Sequence, residues 1–496
     1  MKNKLAHSIK KVVFVTLLIL LLLFSNGRFT LFFAIWISTP MLLYVARSFS
    51  VKKGFLIVWL LSTIASLIQF YTIVPLPIPF FIITMMVFGL VTTLPYWIDR
   101  LLLKNKDSFL HTLVFPVSWV LLQYIFLRFH PYGTWGHIDY TQQSQLVLLQ
   151  SVAVFGLGYL TFLIGWFASV CNWLLAQKFQ WKHIKRGVLI YSLVFGLTIA
   201  YGGYRLLVLK PTSKTIRIAS ISALEGLGIY DNNVFGLTEK GAETKNKEYF
   251  QKRTSELNKS LLERSVREAK AGAKIVFWAE GNSYILKDDE QAFYKQVSSI
   301  AMVNNIYLGM GLAVVDETNN KPIENKFVLF NSEGKRVIDY WKVIPVPGAE
   351  AANANIKGDK IQKTTTPYGT IAAAICFDMD FPWYLKQAKG ADIFLAPSND
   401  WKAIDPVHTN MVRFRAIEQG FNLIRQTSNG LSAGIDYTGK VISEMDHFTS
   451  NDKVLITQLP TKGVTTIYAI IGDAFIYFSL LLFIAMLIVY RKRQTK

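Results

Sequence analysis

Apolar runs of about 20 residues constrain this chain more than any other feature, because that length carries a helix across the hydrocarbon core of a bilayer. Candidate spans stand near Val12–Phe24, Thr30–Tyr44, Phe55–Val74, Phe80–Trp97, Phe109–Phe126, Val152–Leu175 and Val188–Val208, with an eighth near Ile467–Val489. Only 17% of the 496 residues are charged and 52% are hydrophobic, which excludes an ordinary soluble protein of this size. The 12 Trp, 22 Tyr and 35 Phe suit a chain with membrane interfaces to anchor. The first run is short, but no small-residue cleavage site follows it and further spans do, so it reads as a span and not as a leader.

A formal net charge of +20 would suggest nucleic-acid binding in a soluble protein. Here the basic residues flank the spans, and membrane orientation explains them better, so no nucleic-acid partner is expected. Lys2, Lys4, Lys10 and Lys11 precede the first span; Arg47, Lys52 and Lys53 follow the second; Arg100, Lys104 and Lys106 follow the fourth. Lys178, Lys182, Lys185 and Arg186 follow the sixth, and Arg491 to Arg493 follow the eighth. With eight spans all these clusters fall on one side, which is then cytoplasmic. The long segment between spans seven and eight is expected on the outer face. One outer loop, Phe129 to Tyr140, mixes aromatics, glycines and histidines; it reads as an aromatic belt, or as a shaped lipid access site. His130 and His137 within it are not expected to be catalytic. Two cysteines exclude a disulfide framework. No histidine spacing suggests a metal cluster, so neither a metal nor another cofactor is expected.

From Thr215 the pattern changes. Thr215–Ser222, Lys274–Ala279, Ile306–Val315, Lys326–Phe330, Arg336–Tyr340, Gly369–Cys376, Asp392–Ala396, Asn422–Thr427 and Ser432–Asp436 read as strands. Glu243–Ala271, Glu290–Asn304 and His408–Gly420 read as helices. The organisation is a seven-span bundle over 1–210, an α/β domain over 215–460, and a final span with a basic tail over 464–496.

Three polar residues stand at or just beyond strand ends: Glu280, Lys342 and Cys376. Ligand and catalytic groups gather at carboxyl ends of strands in α/β folds. A cysteine attacks as thiolate and needs a base. A buried glutamate can be that base, and a lysine can stabilise a developing oxyanion. His408, the one histidine in the middle of the domain, starts a helix and is not read as the partner of a Cys–His pair. Taken singly, Glu280 and Lys342 read as an ordinary ion pair, and Cys376 as a buried small hydrophobe.

Together the three resemble, in order and spacing, the Glu–Lys–Cys triad of the nitrilase (carbon–nitrogen hydrolase) superfamily. Lys342-Val-Ile-Pro-Val-Pro-Gly-Ala-Glu350 resembles that superfamily's lysine loop. Ser398-Asn399-Asp400, Arg413-x-Arg415-Ala-x-Glu418 and Thr427-x-Asn429-Gly430 resemble its downstream motifs. A domain of this kind between seven spans and one more is similar to the apolipoprotein N-acyltransferase family, and the loop from Tyr132 to Gln142 strengthens the likeness. The resemblance implies an α-β-β-α sandwich on the outer face of a bacterial cytoplasmic membrane, in a monomer. It implies acyl transfer from a phospholipid, through a Cys376 thioester, to the N-terminal amine of a diacylglyceryl-cysteine lipoprotein. Glu280 would act as base, with Lys342 and the Phe377 backbone N–H holding the oxyanion. Glu350 would orient the lysine or the base, and Asn399 would support the site. Asp378 stands where the family has glutamate; it reads equally as a turn cap. Ala279 and Gly281 flank Glu280 where the family has proline and serine. The alternative is a membrane-anchored nitrilase-type amidase or hydrolase, in which water resolves the thioester.

Overall fold

The computed structural model describes residues 2–102, 108–224, 227 and 247–492. The chain divides into two compact units, Met1–Val208 together with Ile471–Lys496, and Leu209–Ile470.

The first unit is helical. Among the described residues, six helices are long and apolar enough to cross a membrane: Val51–Gln69, Ile78–Leu102, Phe109–Phe129, Gly158–Ala176, Trp181–Leu207 and Ala474–Lys492. The Val12–Phe24 run falls in a helix over Lys2–Leu23, and Thr30–Tyr44 in a 15-residue helix over Ala34–Ser48. Two expected spans are interrupted by glycines at positive φ, Gly156 (71°) within Val152–Leu175 and Gly472 (59°) within Ile467–Val489. Helices in lipid approach closely where side chains are small. Gly89 does this against Thr63, where a Cβ would strike the Thr63 hydroxyl. Charges inside the unit are paired: Arg47 holds buried Asp99 through two bonds of 2.9 and 2.8 Å. The aromatic loop after Phe129 packs inward within this unit. Asp139 is fully buried, accepting from Gln123 at 3.0 Å and from the Thr161 backbone at 2.9 Å. Asn26 donates to the Gly136 carbonyl at 2.8 Å.

Among the described residues the second unit carries thirteen strands: β1 Thr215–Ile221, β2 Ile275–Trp278, β3 Ser283–Leu286, β4 Tyr307–Val315, β5 Ile323–Phe330, β6 Arg336–Trp341, β7 Lys363–Thr366, β8 Gly369–Ala373, β9 Ile393–Asn399, β10 Asn422–Ser428, β11 Leu431–Ile435, β12 Val441–Asp446 and β13 Val454–Pro460. One sheet runs β13-β1-β2-β4-β5-β6, with β3 also on β4; the other runs β12-β11-β10-β9-β8-β7. Both have parallel centres and antiparallel margins. Helices Lys247–Lys270 and Glu290–Val303 cover the first sheet, burying Leu257, Leu261, Phe293 and Val297 against Val276, Trp278 and Leu308. Helix Val407–Gln419 lies against β10 and β11 of the second, and left-handed Gly420 (φ 81°) ends it. The sheets meet through β1 and β10, where the Gln426 amide bridges Ser220 and Ser222. This is an α-β-β-α sandwich, as expected.

The strands β3, β7, β12 and β13 went unread in the sequence; β3 and β7 are four residues each. The nucleophile strand ends at Ala373, three residues earlier than expected, and a tight turn over Cys376–Asp380 follows. The expected helix from Glu243 is described only from Lys247. β1 and β13 pair antiparallel from Thr215 opposite Pro460 to Ile221 opposite Val454. Thr461 N–H donates to the Lys214 carbonyl at 3.0 Å, extending the pairing by one further pair.

Candidate active site

Glu280 occupies a break in the first sheet. β2 and β3 both pair with the same side of β4, and the chain between them folds over Gly311 of that strand. Any Cβ at Gly311 would meet the Ala279 carbonyl and the Glu280 N–H. Left-handed Gly281 (φ 56°) and a 3.1 Å bond from Asn282 N–H to the Gly311 carbonyl complete the turn. Glycine at 281 thus fits a backbone that other residues adopt at a cost.

Lys342 follows β6, and its N–H donates to the Asn325 carbonyl on β5 at 2.9 Å. Its buried ammonium lies 2.8 Å from Glu280 Oε1 and 2.7 Å from Glu350 Oε1. Asn325 Nδ2 donates to both carboxylates, at 2.7 and 3.1 Å, and the Val346 N–H donates to Glu350 at 2.8 Å. Burial disfavours the ammonium, but Glu280 and Glu350 outweigh it and hold Lys342 charged, well above the usual lysine range. It is therefore a fixed cation and not a proton acceptor.

Cys376 opens the turn after β8 with φ 45°, the left-handed region that costs a non-glycine residue energy and that active sites retain when it aims a side chain. Sγ lies 3.5 Å from the Asn399 carbonyl. Burial pushes the thiol well above the usual cysteine range; the Glu280 carboxylate pushes the same way, and the Lys342 charge pulls it back. The resting group is a neutral thiol that needs a base at the moment of attack. Phe377 is second in the turn, where a backbone N–H has no acceptor within the turn itself.

Asp378 does not point its charge at the ammonium as a further ligand. It ties two turns together: Oδ2 accepts from the Ile375 N–H at 3.1 Å and the Tyr340 hydroxyl at 2.6 Å, while Oδ1 accepts from the Ile344 N–H at 2.8 Å. It thus clamps the cysteine turn to the loop that follows Lys342, which agrees with the turn-cap reading. Burial lifts its carboxyl to about 7, against the Tyr340 hydroxyl, the Lys342 charge and the backbone donors. Asn399 contributes its carbonyl to the thiol and its side chain to Asn429, which donates at 3.1 Å.

His408 lies in a helix, as expected, and one atom each of Cys376, Asp400 and His408 fall within 4.8 Å of one another. Chain position could not reveal this, because the three come from a strand end, a neighbouring strand end and a crossover helix. His408 Nδ1 faces Asp400 Oδ1 at 2.8 Å and Nε2 faces Asp380 Oδ1 at 3.2 Å. Arg425 on β10 bonds both Asp400 oxygens, at 2.9 and 2.7 Å. Such a trio could ligate a cation by type, yet its oxygens and ring nitrogens are already committed to these partners. Asp400 was quoted from the sequence within its motif; Arg425, Asp380 and Asn325 were not singled out.

Comparison with known proteins adds a family-level finding. A carbon-nitrogen hydrolase family model matches residues 251–468. The chain is similar to apolipoprotein N-acyltransferase of Pasteurella multocida, 23% identical over 408 residues, covering 75% of this chain and 74% of that protein. It is similar to apolipoprotein N-acyltransferase 1 of Treponema denticola, 25% identical over 433 residues, covering 75% and 76%. It is 33% identical over 135 residues to apolipoprotein N-acyltransferase of Borreliella burgdorferi, and that match spans 26% of each chain.

Proposed function

We propose, for a chain that belongs to the apolipoprotein N-acyltransferases of the nitrilase superfamily, that it moves an acyl chain from a phospholipid to the N-terminal amine of a diacylglyceryl-cysteine lipoprotein. The observation that carries this reading is the Lys342 ammonium held 2.8 Å from Glu280, beside a buried cysteine on a left-handed turn.

Glu280 takes the proton of the Cys376 thiol as sulfur attacks the ester carbonyl. Lys342 and the Phe377 N–H receive the oxyanion. The ester C–O bond breaks, Glu280 returns the proton to the departing oxygen, and a lysophospholipid leaves a thioester on Cys376. The lipoprotein α-amine then attacks that thioester; Glu280 accepts the amine proton and passes it to the leaving sulfur, and an amide is formed. Glu350 and Asn325 hold the ammonium and carboxylate in register. The six apolar helices give this chemistry a lipid phase in which both substrates reside. We place eight spans, a seven-span bundle followed by one more, in a bacterial cytoplasmic membrane, with the α/β unit on the outer face and the protein acting as a monomer.

The test uses purified protein in vesicles with a phospholipid labelled in its acyl chain. Label should bind the native protein and Cys171→Ser covalently and should not bind Cys376→Ser. Adding a diacylglyceryl-cysteine peptide should release the label as amide. Label retained on Cys376→Ser would overturn the mechanism, and free fatty acid in place of amide would make the protein a hydrolase.

A further inference from the structure

The thiol has two charged neighbourhoods, and the mechanism above uses one. Glu280 and Lys342 come from the first sheet. Asp400 at the end of β9, Arg425 on β10, His408 on the crossover helix and Asp380 on the cysteine's own turn belong to the second, and all four are buried. Burying four ionisable groups is costly unless each is paired, and here the pairing has a definite pattern. Arg425 makes a two-point contact with Asp400, and His408 is held between Asp400 and Asp380.

The donor inventory bears on the charge of the ring. An ionised carboxylate only accepts, so a ring nitrogen bonded to one carries a proton. Both nitrogens of His408 face carboxylate oxygens, at 2.8 and 3.2 Å, an arrangement that an imidazolium satisfies on both sides. Arg425 Nη2 also lies 2.9 Å from Nδ1, a donor against a donor, and Asp400 Oδ1 offsets this by accepting from both. The charges sum to zero across the group, yet their order matters. Of these the cation at His408 lies within 4.8 Å of the thiol, along with the Asp400 carboxylate that it shares with Arg425.

We propose that His408 is a positioning residue for the nucleophile, an imidazolium pinned by Asp380 and Asp400 whose charge favours the thiolate of Cys376 as it forms. The inference rests on Cys376 being the nucleophile. The groups facing the thiol are Glu280, which opposes its ionisation; Lys342 and Arg425, which favour it; and Asp400, which opposes it. Asp378 on the same turn is spent on backbone donors. On this side Arg425 opposes the effect of Asp400, and His408, within 4.8 Å of the thiol, adds a second cation. Burial works against the imidazolium, and Asp380 and Asp400 nevertheless lift its pKa to about 9, in agreement with the geometry.

The experiment needs no lipid substrate, so its failure is distinct from a failure of the acyl-transfer reading. Full-length protein carrying Cys171→Ser is alkylated with iodoacetamide across a pH series, and the rate at Cys376 is followed by mass spectrometry. Between pH 7 and 8.5, where the ring is charged, His408→Gln, and separately Asp380→Asn, should slow alkylation ~tenfold, and the difference from the native rate should vanish well above pH 9. Asp380→Asn keeps the shape of its residue and serves if His408→Gln fails to fold. Variants that melt cooperatively but alkylate at the native rate between pH 7 and 8.5 would overturn the proposal, because a purely structural histidine would lower the melting temperature and leave that rate in place.

Discussion

At the scale of single residues, the roles proposed for Glu280 and Lys342 rest on the charge of the lysine. A lysine held between two carboxylates is a poor acceptor of the thiol proton, and the proposal gives that role to the glutamate. Glu280→Gln keeps the shape and loses the base, and should lower the rate of acyl-enzyme formation by roughly 10²–10⁴-fold with lipid binding retained, as read by stopped-time labelling. The buried groups also leave a mark on stability. His408 has a folded pKa of about 9 against an ordinary 6.5, so its contribution is full below 6.5 and is lost as pH rises through 9. Asp378, raised from 3.8 to about 7, binds a proton in the folded state that the unfolded chain gives up, so its effect also declines as pH rises, between those two values. Asp400 is held below the carboxylate range by Arg425 and His408 in spite of burial, and acts in the opposite sense, at acid pH. The melting temperature should therefore fall as pH is raised from 7 to 9, and His408→Gln should flatten that fall in a calorimetric series.

At the scale of elements, the site depends on one close crossing of backbones. Glu280 is placed by the chain passing over Gly311, so Gly311→Ala should push the carboxylate aside without removing any polar group. Displacement of this kind costs on the order of 10²-fold in rate, and circular dichroism should report an intact sandwich while acyl-enzyme formation falls by that amount. This dependence marks where the sequence was legible. Strand ends bearing Glu280, Lys342 and Cys376 could be read, because hydrophobic runs stop abruptly at polar residues. The hairpin of β5 and β6 could be read from Asn331 to Gly334, whose turn the structure keeps. Gly311 could not, since a glycine in a strand does not announce which backbone crosses it. His408 was dismissed because periodicity assigns it to a helix without saying what that helix packs against. Asp378 was legible as an acid in a turn, but its hold on Ile344, thirty-four positions away, was not.

At the scale of the whole molecule, apolar helices and an α/β unit share one chain. Among the described residues six helices are long and apolar enough to cross a bilayer, whose core requires a helix to satisfy its own backbone. The α/β unit buries its charges in pairs, as water-facing folds do. The basic clusters after alternate spans predict that residues near Lys52 and Lys182 face the cytoplasm. Single cysteines placed there should resist a membrane-impermeant maleimide in intact cells, while one placed at exposed Lys259 should react. The opposite pattern would invert the topology. The pairing of β1 with β13 carries a last consequence. Two positions that face each other about 5 Å apart in an antiparallel ladder close the long stretch of chain between them into a loop. A short glycine-rich bridge from Thr215 to Pro460 could span the same gap. Tension applied across Thr215 and Pro460 would peel the ladder open rung by rung.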